Sequence, residues 1–411
     1  LPHDPEKRGY SPKRLLKPTI GDWLRRHHPD SKVISLAIKD RVAILLGGKN
    51  PTYAIWFDSK LGKYTTSSYY KEPKWLSKQE EWGLYQSHIG KKWELSAKPE
   101  NRLPPDDQPW EPEEKNTFPH PILSPTDYIC SPFAISDLFT LAKKVIEMEK
   151  LGKNGNKDML FIGISSTDYI GHIYGPDSRE IYEIYSVLDS LLAGFLEWLD
   201  RLSITYKSVL ISDHGVCPVP EQLRHLYYEE SWRGTPDSIL LSLNQIIQNQ
   251  FHLDYSFFRD LIPPYLYVTA KGKSDPLYEQ ILTFAATYLA DHYPEIHSVY
   301  TRTQIEQAFH SPSLKRDTLL RSILLDYHPR EFGDLYLLVK PYSLIEGHYL
   351  TTHGTPYAYD SHVPLAFYWK GIKPKRVSDK VSPVYIFPTL CEWLKLPLPE
   401  YLDGKSLNPY F

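Results

Sequence analysis

The chain has 411 residues, a formal net charge of −3 and three cysteines. Near-neutral charge excludes a global electrostatic drive toward nucleic acid or an anionic membrane, and the wide spacing of Cys130, Cys217 and Cys391 excludes a cysteine zinc site or a disulfide scaffold. A hydrophobic share of 41% suits a globular protein, and the length suits one large α/β domain with insertions or two medium domains.

Residues 1–30 are rich in Pro, Lys and Arg and carry one short helix near 20–26. The start at Leu1-Pro2-His3-Asp4, with no apolar segment, reads as processing or as a beginning partway through a longer sequence. Residues 33–38 read as a buried strand, with Lys39-Asp40-Arg41 directly behind it. Residues 54–58 and 63–70 form a predicted hairpin, turned at Gly62. From 71 to 125 the chain is Pro, Trp and charge, an ordered excursion with little regular structure, and its 111–115 stretch reads as a solvated loop.

Regularity returns with a helix over 136–150, a continuous apolar strand over 159–164, a long amphipathic helix over 178–202 and another buried strand over 208–212. That order predicts an α/β fold with a mostly parallel central sheet and helices on both faces. Residues 219–332 leave this core as a small α+β cap, with strands at 265–269 and 297–301 around a helix at 276–291. Strands at 334–339 and 363–368 follow. The whole reads as a single catalytic domain over 1–411, with insertions at about 71–125 and 219–332 forming the cap regions. No apolar run approaches the roughly 20 residues of a membrane-spanning helix.

Two strands run straight into Asp and then His. Asp168 and His172 follow the first, at i and i+4 on a Gly-containing turn; Asp213, His214 and Gly215 follow the second. His353-Gly354 stands a little before the strand at 363–368. In an open parallel sheet, chemistry sits beyond the carboxyl ends of strands, and carboxylate plus imidazole is a donor set suited to zinc. A lone Asp at such a place is more often a helix cap and a lone His more often a hydrogen-bonded surface residue. Two such clusters at successive strand ends weigh the metal reading evenly against that blander one.

The segments SSTDYIGHIYGPDS (165–178), LISDHGV (210–216) and HGTPYAYDSHVPLAFYWKG (353–371) occur in this order around the long helix. Together they resemble the alkaline phosphatase superfamily, most closely its PafA-type alkaline phosphatases, which are related to nucleotide pyrophosphatase/phosphodiesterases. The likeness runs from about Tyr10 to Asn408. It implies two zinc ions, a Thr or Ser nucleophile and a covalent phospho-enzyme. By motif, Asp168, His172 and His353 would hold the first zinc, and Asp213 and His214 the second; His362 is a rival for His353. The segment IKDRVAI (38–44) resembles the place where that branch keeps a Lys and an Arg two residues apart. On an extended chain Lys39 and Arg41 would share one side, and two cations there favour the dianion of a monoester. By spacing alone, a solvated strand end is the simpler reading of the pair.

The resemblance also implies a strand ending in a further zinc-binding Asp, followed by a Thr or Ser nucleophile, ahead of the matched region. Neither is found in these residues. Thr65, Thr66, Ser67, Ser68 and Thr167 are nucleophile candidates by type only. The sequence-based expectation is therefore a zinc-dependent hydrolase of small phosphate monoesters, weak or inactive without an upstream segment or chain. A phosphodiesterase/nucleotide pyrophosphatase and a non-catalytic zinc- or phosphate-binding remnant are the alternatives. No nucleic-acid scaffold and no membrane span are expected as partners, and resemblance implies a periplasmic or secreted setting.

Overall fold

The computed structural model describes residues 10–95, 103–112, 117–226, 228, 230–311 and 318–411. Thr19 and Asp22 form a reciprocal capping box that starts α1 (Ile20–His27). The wholly buried β1 (Val33–Ala37) follows and leads at once into α2 (Asp40–Gly47). β2 (Tyr53–Asp58) and β3 (Lys63–Thr65) pair as the antiparallel hairpin expected from Gly62. Then come α3 (Pro132–Glu149), β4 (Met159–Gly163), α4 (Ser166–Tyr174), α5 (Arg179–Arg201) and β5 (Ser208–Ile211). The Ser178 side chain accepts from the Ile181 amide and so sets where α5 begins.

The first sheet has the order β3-β2-β1-β4, with β1 parallel to both β2 and β4. Its core joins Ile34, Leu36 and Ile55 of the strands to Leu138, Leu141 and Val145 of α3. This is the α/β arrangement the sequence implies, with helices supplying the crossovers between parallel strands.

A second sheet is built from the later chain. α6 (Pro236–Phe251), β6 (Phe258–Ile262), β7 (Tyr265–Val268), α7 (Tyr278–His292), β8 (Ile296–Thr301) and β9 (Leu335–Val339) form it. The antiparallel order is β8-β9-β7-β6, over a core of its own that includes Leu243, Leu266, Leu282 and Leu337. The strand expected at 334–339 is thus an interior strand of this second sheet, not a continuation of the first. All five residues of β9 are buried, and an unbroken apolar run suits any covered sheet without naming which.

The strand expected at 208–212 also differs from its prediction. β5 does not extend the parallel sheet. It pairs antiparallel with β10 (Leu365–Tyr368), and Leu210 and Ile211 are 44% and 37% exposed. β4 has a free edge as well: Leu160, Phe161 and Ile162 are only half-buried, and among the described residues β4 pairs with β1 alone. Among the described residues, two apolar strands that read as interior therefore each present an unpaired edge.

The excursion at 71–125 holds little regular structure, in line with its composition. Its charged stretch is a correction. Residues 113–115 lie outside the described residues, but Glu111 is buried rather than solvated. Its Oε2 accepts from the Gln108 amide at 3.3 Å, and Oε1 has no hydrogen-bond partner among the described residues. Nearby, the fully buried Glu180 meets the His120 ring at 3.0 Å. Burial, then the Glu180 charge, push the Glu111 carboxyl from 4.5 up to about 8. A carboxyl raised on folding stabilises the folded state most where both states are protonated. That contribution is lost as pH rises from about 4.5 through about 8. We expect Glu111→Gln to flatten this part of the stability–pH curve and to gain about 1–3 kcal/mol at pH 8. Urea denaturation at pH 5 and pH 8 measures it; equal pH slopes in the two proteins would count against a buried Glu111 carboxyl.

Candidate active site

α4 starts three residues beyond the end of β4, so its first turn stands at the carboxyl end of the first sheet. Residues four apart share a helix face, which brings His172 Nε2 to 3.4 Å from Asp168 Oδ1. The sequence suggests a tight turn here; the structure has a nine-residue helix, which serves the same i, i+4 pairing. Lys39 is the N-cap of α2 and is buried, and its ammonium donates to Asp168 Oδ2. It also stands 4.3 Å over the Tyr169 ring.

Arg41 departs from its expected placement. The chain turns helical at Asp40, and residues two apart in a helix do not face the same way. Lys39 points to Asp168, whereas Arg41 is exposed. The Arg41 charge still reaches Tyr169, where it opposes the burial that pushes the phenol up to about 12.

His214 and His353 arrive from two loops. Their Nε2 atoms lie 3.6 and 3.9 Å from Asp168 Oδ1. The two rings stack with centroids 3.3 Å apart. Donor atoms of Asp168, His172 and His353 all lie within 4.8 Å of one another. Asp213 stays at the margin: its side chain is 81% exposed, with Oδ2 3.6 Å from His214 Nε2. His362 is an exposed residue ending the short helix Ala358–Ser361. Of the hydroxyl candidates, Thr65, Thr66 and Ser67 are buried in and after the hairpin, and Thr66 donates to the Ala54 carbonyl. Ser68 is exposed and Thr167 half-buried.

Two backbone carbonyls orient the imidazoles. His172 Nδ1 meets the Thr351 carbonyl at 2.8 Å, and His214 Nδ1 meets the Gly215 carbonyl at 2.8 Å. A carbonyl only accepts, so each Nδ1 carries a proton and each ring turns its Nε2 toward Asp168. Sequence reasoning missed Thr351, because a carbonyl acceptor has no residue-type signature. Burial alone would raise the Asp168 carboxyl. The His172 and Lys39 hydrogen bonds and the Lys39 charge outweigh it and hold Asp168 well below the usual carboxylate range. Burial would lower His172, but its contact with Asp168 raises it. His353 is pushed down to about 4, by burial and then by the neighbouring His214. Beside Lys39 opens a cavity of about 320 Å³, walled in part by Asp40, Trp56, Lys60 and Tyr169.

This geometry can be set against known proteins. The description "Type I phosphodiesterase / nucleotide pyrophosphatase" matches residues 52–362, more than half of the chain. The chain belongs to this family. Within it, the chain is 30% identical to alkaline phosphatase PhoV of Synechococcus elongatus, over 97% of its own length and 74% of that relative. It is 28% identical to alkaline phosphatase PhoK of a Sphingomonas species, over 97% and 72%. The crystal structure of wild-type alkaline phosphatase PafA superposes with a TM-score of 0.85 at 26% identity, covering 97% of this chain and 78% of that one. The family member described here is therefore a phosphoric-ester hydrolase of the PafA branch of the alkaline phosphatase superfamily, with the α/β fold that branch implies.

Gly215 shows how tightly the site's loops meet: a Cβ there would stand 1.9 Å from the Tyr359 carbonyl oxygen. A Cβ on Gly194, inside α5, meets nothing within 4 Å. We expect Gly215→Ala to cost about 2 kcal/mol or more by forcing the two loops apart, and Gly194→Ala to gain about 0.5–1 kcal/mol from helix propensity. Thermal denaturation of both variants tests this; a neutral Gly215→Ala would mean that the loops can separate freely.

Proposed function

We propose that this family member hydrolyses phosphate monoesters with the help of zinc. Asp168, His172 and His353 would hold one ion, and His214 with Asp213 would contribute to a second. The observation that carries the reading is the pair of anchored imidazoles. With Nδ1 of His172 and of His214 committed to backbone carbonyls, both rings turn Nε2 toward Asp168. Nε2 is then the atom each ring would offer a cation, beside a carboxylate oxygen that suits the same ion. The buried Lys39 ammonium already supplies one positive charge to Asp168. When bound, zinc contributes Lewis-acid polarisation of an ester oxygen.

The chain's own residues supply the rest. The Thr351 and Gly215 carbonyls hold the two rings in one tautomer and orientation. Lys39 stands at the wall of the cavity, where its charge suits phosphoryl oxygens. Arg41 is exposed, and its charge is felt at Tyr169 on the cavity wall. Two cations suit the dianionic monoester better than the monoanionic diester, and the names of the relatives, alkaline phosphatases, support the same choice. The phosphodiesterase reading keeps the support of the family description.

The free edges of β4 and β5 bear on the expected upstream segment. A strand entering beside β4 would pair its open edge and cover Leu160 and Ile162. In this reading, as the family resemblance implies, it also brings the hydroxyl nucleophile and a further carboxylate; Thr65, Thr66 and Ser67 are buried away from solvent. By family resemblance we place the protein in the periplasm or outside the cell. Among the described residues no helix is long and apolar enough to cross a membrane.

Zinc analysis of the purified protein is the direct test. We expect bound zinc, and loss of it in an Asp168→Ala/His172→Ala double variant; equal zinc content in both would sink the metal reading. With the upstream segment supplied, Lys39→Ala should lower kcat/KM for an aryl monoester by about 10²–10³, or about 2.7–4 kcal/mol, and for the matched diester by less. Equal losses on both substrates would reassign Lys39 to structure.

A further inference from the structure

Asp360 lies in the third motif, and neither the metal reading nor the proposed substrate contacts give it a part. It is 4% exposed, within the helix Ala358–Ser361. Its Oδ2 accepts three hydrogen bonds from the turn just after His353: from the Gly354 amide at 3.1 Å, the Thr355 amide at 2.7 Å and the Thr355 hydroxyl at 2.6 Å. Gly354 has a φ of +114°, a left-handed conformation natural to glycine, so the chain reverses there around the carboxylate.

The same short helix also grips the other loop. The Asp360 carbonyl accepts from the Gly215 amide at 2.7 Å, and the Tyr359 carbonyl accepts from the Val216 amide at 3.1 Å. On the near side of His353, the Thr352 carbonyl accepts from the Cys217 amide at 3.0 Å. His353 is therefore held at both ends, at Thr352 by the 213–217 loop and at Gly354 and Thr355 by Asp360. The second carboxylate oxygen, Oδ1, is buried with no hydrogen-bond partner among the described residues. A half-satisfied buried carboxylate costs stability.

We infer that Asp360 is the positioning residue that sets His353 against His214 and Asp168, and so fixes the geometry of the first metal site. The inference rests on the metal reading of that cluster. Groups that orient metal-ligating residues typically contribute 10–100-fold to metal affinity.

The test is zinc affinity, measured by competition with a chromophoric chelator, beside thermal stability. The variants are His353→Ala, Asp360→Ala, Asp360→Asn and Leu243→Ala. Leu243 is buried in the second sheet's own core, so its truncation lowers stability away from the site. We expect Asp360→Ala to weaken zinc binding about 10-fold or more. Asp360→Asn keeps an oxygen for the three donors and should stay within about 3-fold of wild type. Leu243→Ala should lose stability but keep its zinc affinity. Should Asp360→Ala not fold, Thr355→Val, which removes one of the three donors, is expected to weaken zinc binding by about 3-fold. Wild-type affinity in the folded Asp360→Ala or Thr355→Val variant, with loss in His353→Ala, overturns this inference alone. Wild-type affinity in His353→Ala overturns the metal reading and the inference with it. A loss in Leu243→Ala as large as that in Asp360→Ala makes the effect one of global stability and also overturns the inference.

Discussion

Asp168 is a half-buried carboxylate just beyond the end of a parallel strand, and the basic groups that converge on it hold its ionised form against the burial that disfavours it. Lys39 comes from the start of α2, His172 from the same helix face, and His214 and His353 from two separate loops. Desolvation works against the charge, so each approach is fixed elsewhere by backbone contacts: the Thr351 and Gly215 carbonyls, and the amides gathered by Asp360. The loops must meet closely for this to work, which is why Gly215 admits no side chain. The cluster is thus a consequence of how the first sheet ends.

Strand edges constrain this region as strongly as strand ends. β4 and β5, in two different sheets, are both written as interior strands, yet among the described residues each has one unpaired edge and half-exposed apolar residues. An apolar strand gains its stability from neighbours on both sides and both faces. The site lies at the carboxyl end of β4, which among the described residues is the edge strand of the first sheet. The second sheet, with its separate core, closes its own hydrogen bonding without either edge.

Much of this was legible in the residues. The runs at 33–38, 54–58 and 159–164 are apolar enough to be strands in any setting, and the stripe from Ile181 to Leu199 suits only a helix. Asp168 with His172 and Asp213 with His214 stand out because each pair follows an apolar strand. These are local properties: periodicity, turn chemistry and side-chain donor type act within a few residues. Tertiary structure decided the rest. Whether Lys39 and Arg41 share a side depends on the chain turning helical at Asp40, which places Lys39 inside and Arg41 outside. Whether β9 joins the first or the second sheet depends on partners more than 30 residues away, since five buried apolar residues suit either. Whether Glu111 is solvated depends on its packing near Glu180, about 70 residues on. The tautomers of His172 and His214 depend on carbonyls that every residue carries alike. Sequence records what each residue can do chemically; only the folded chain, by bringing distant backbone and charge into contact, decides which of those capacities face one another.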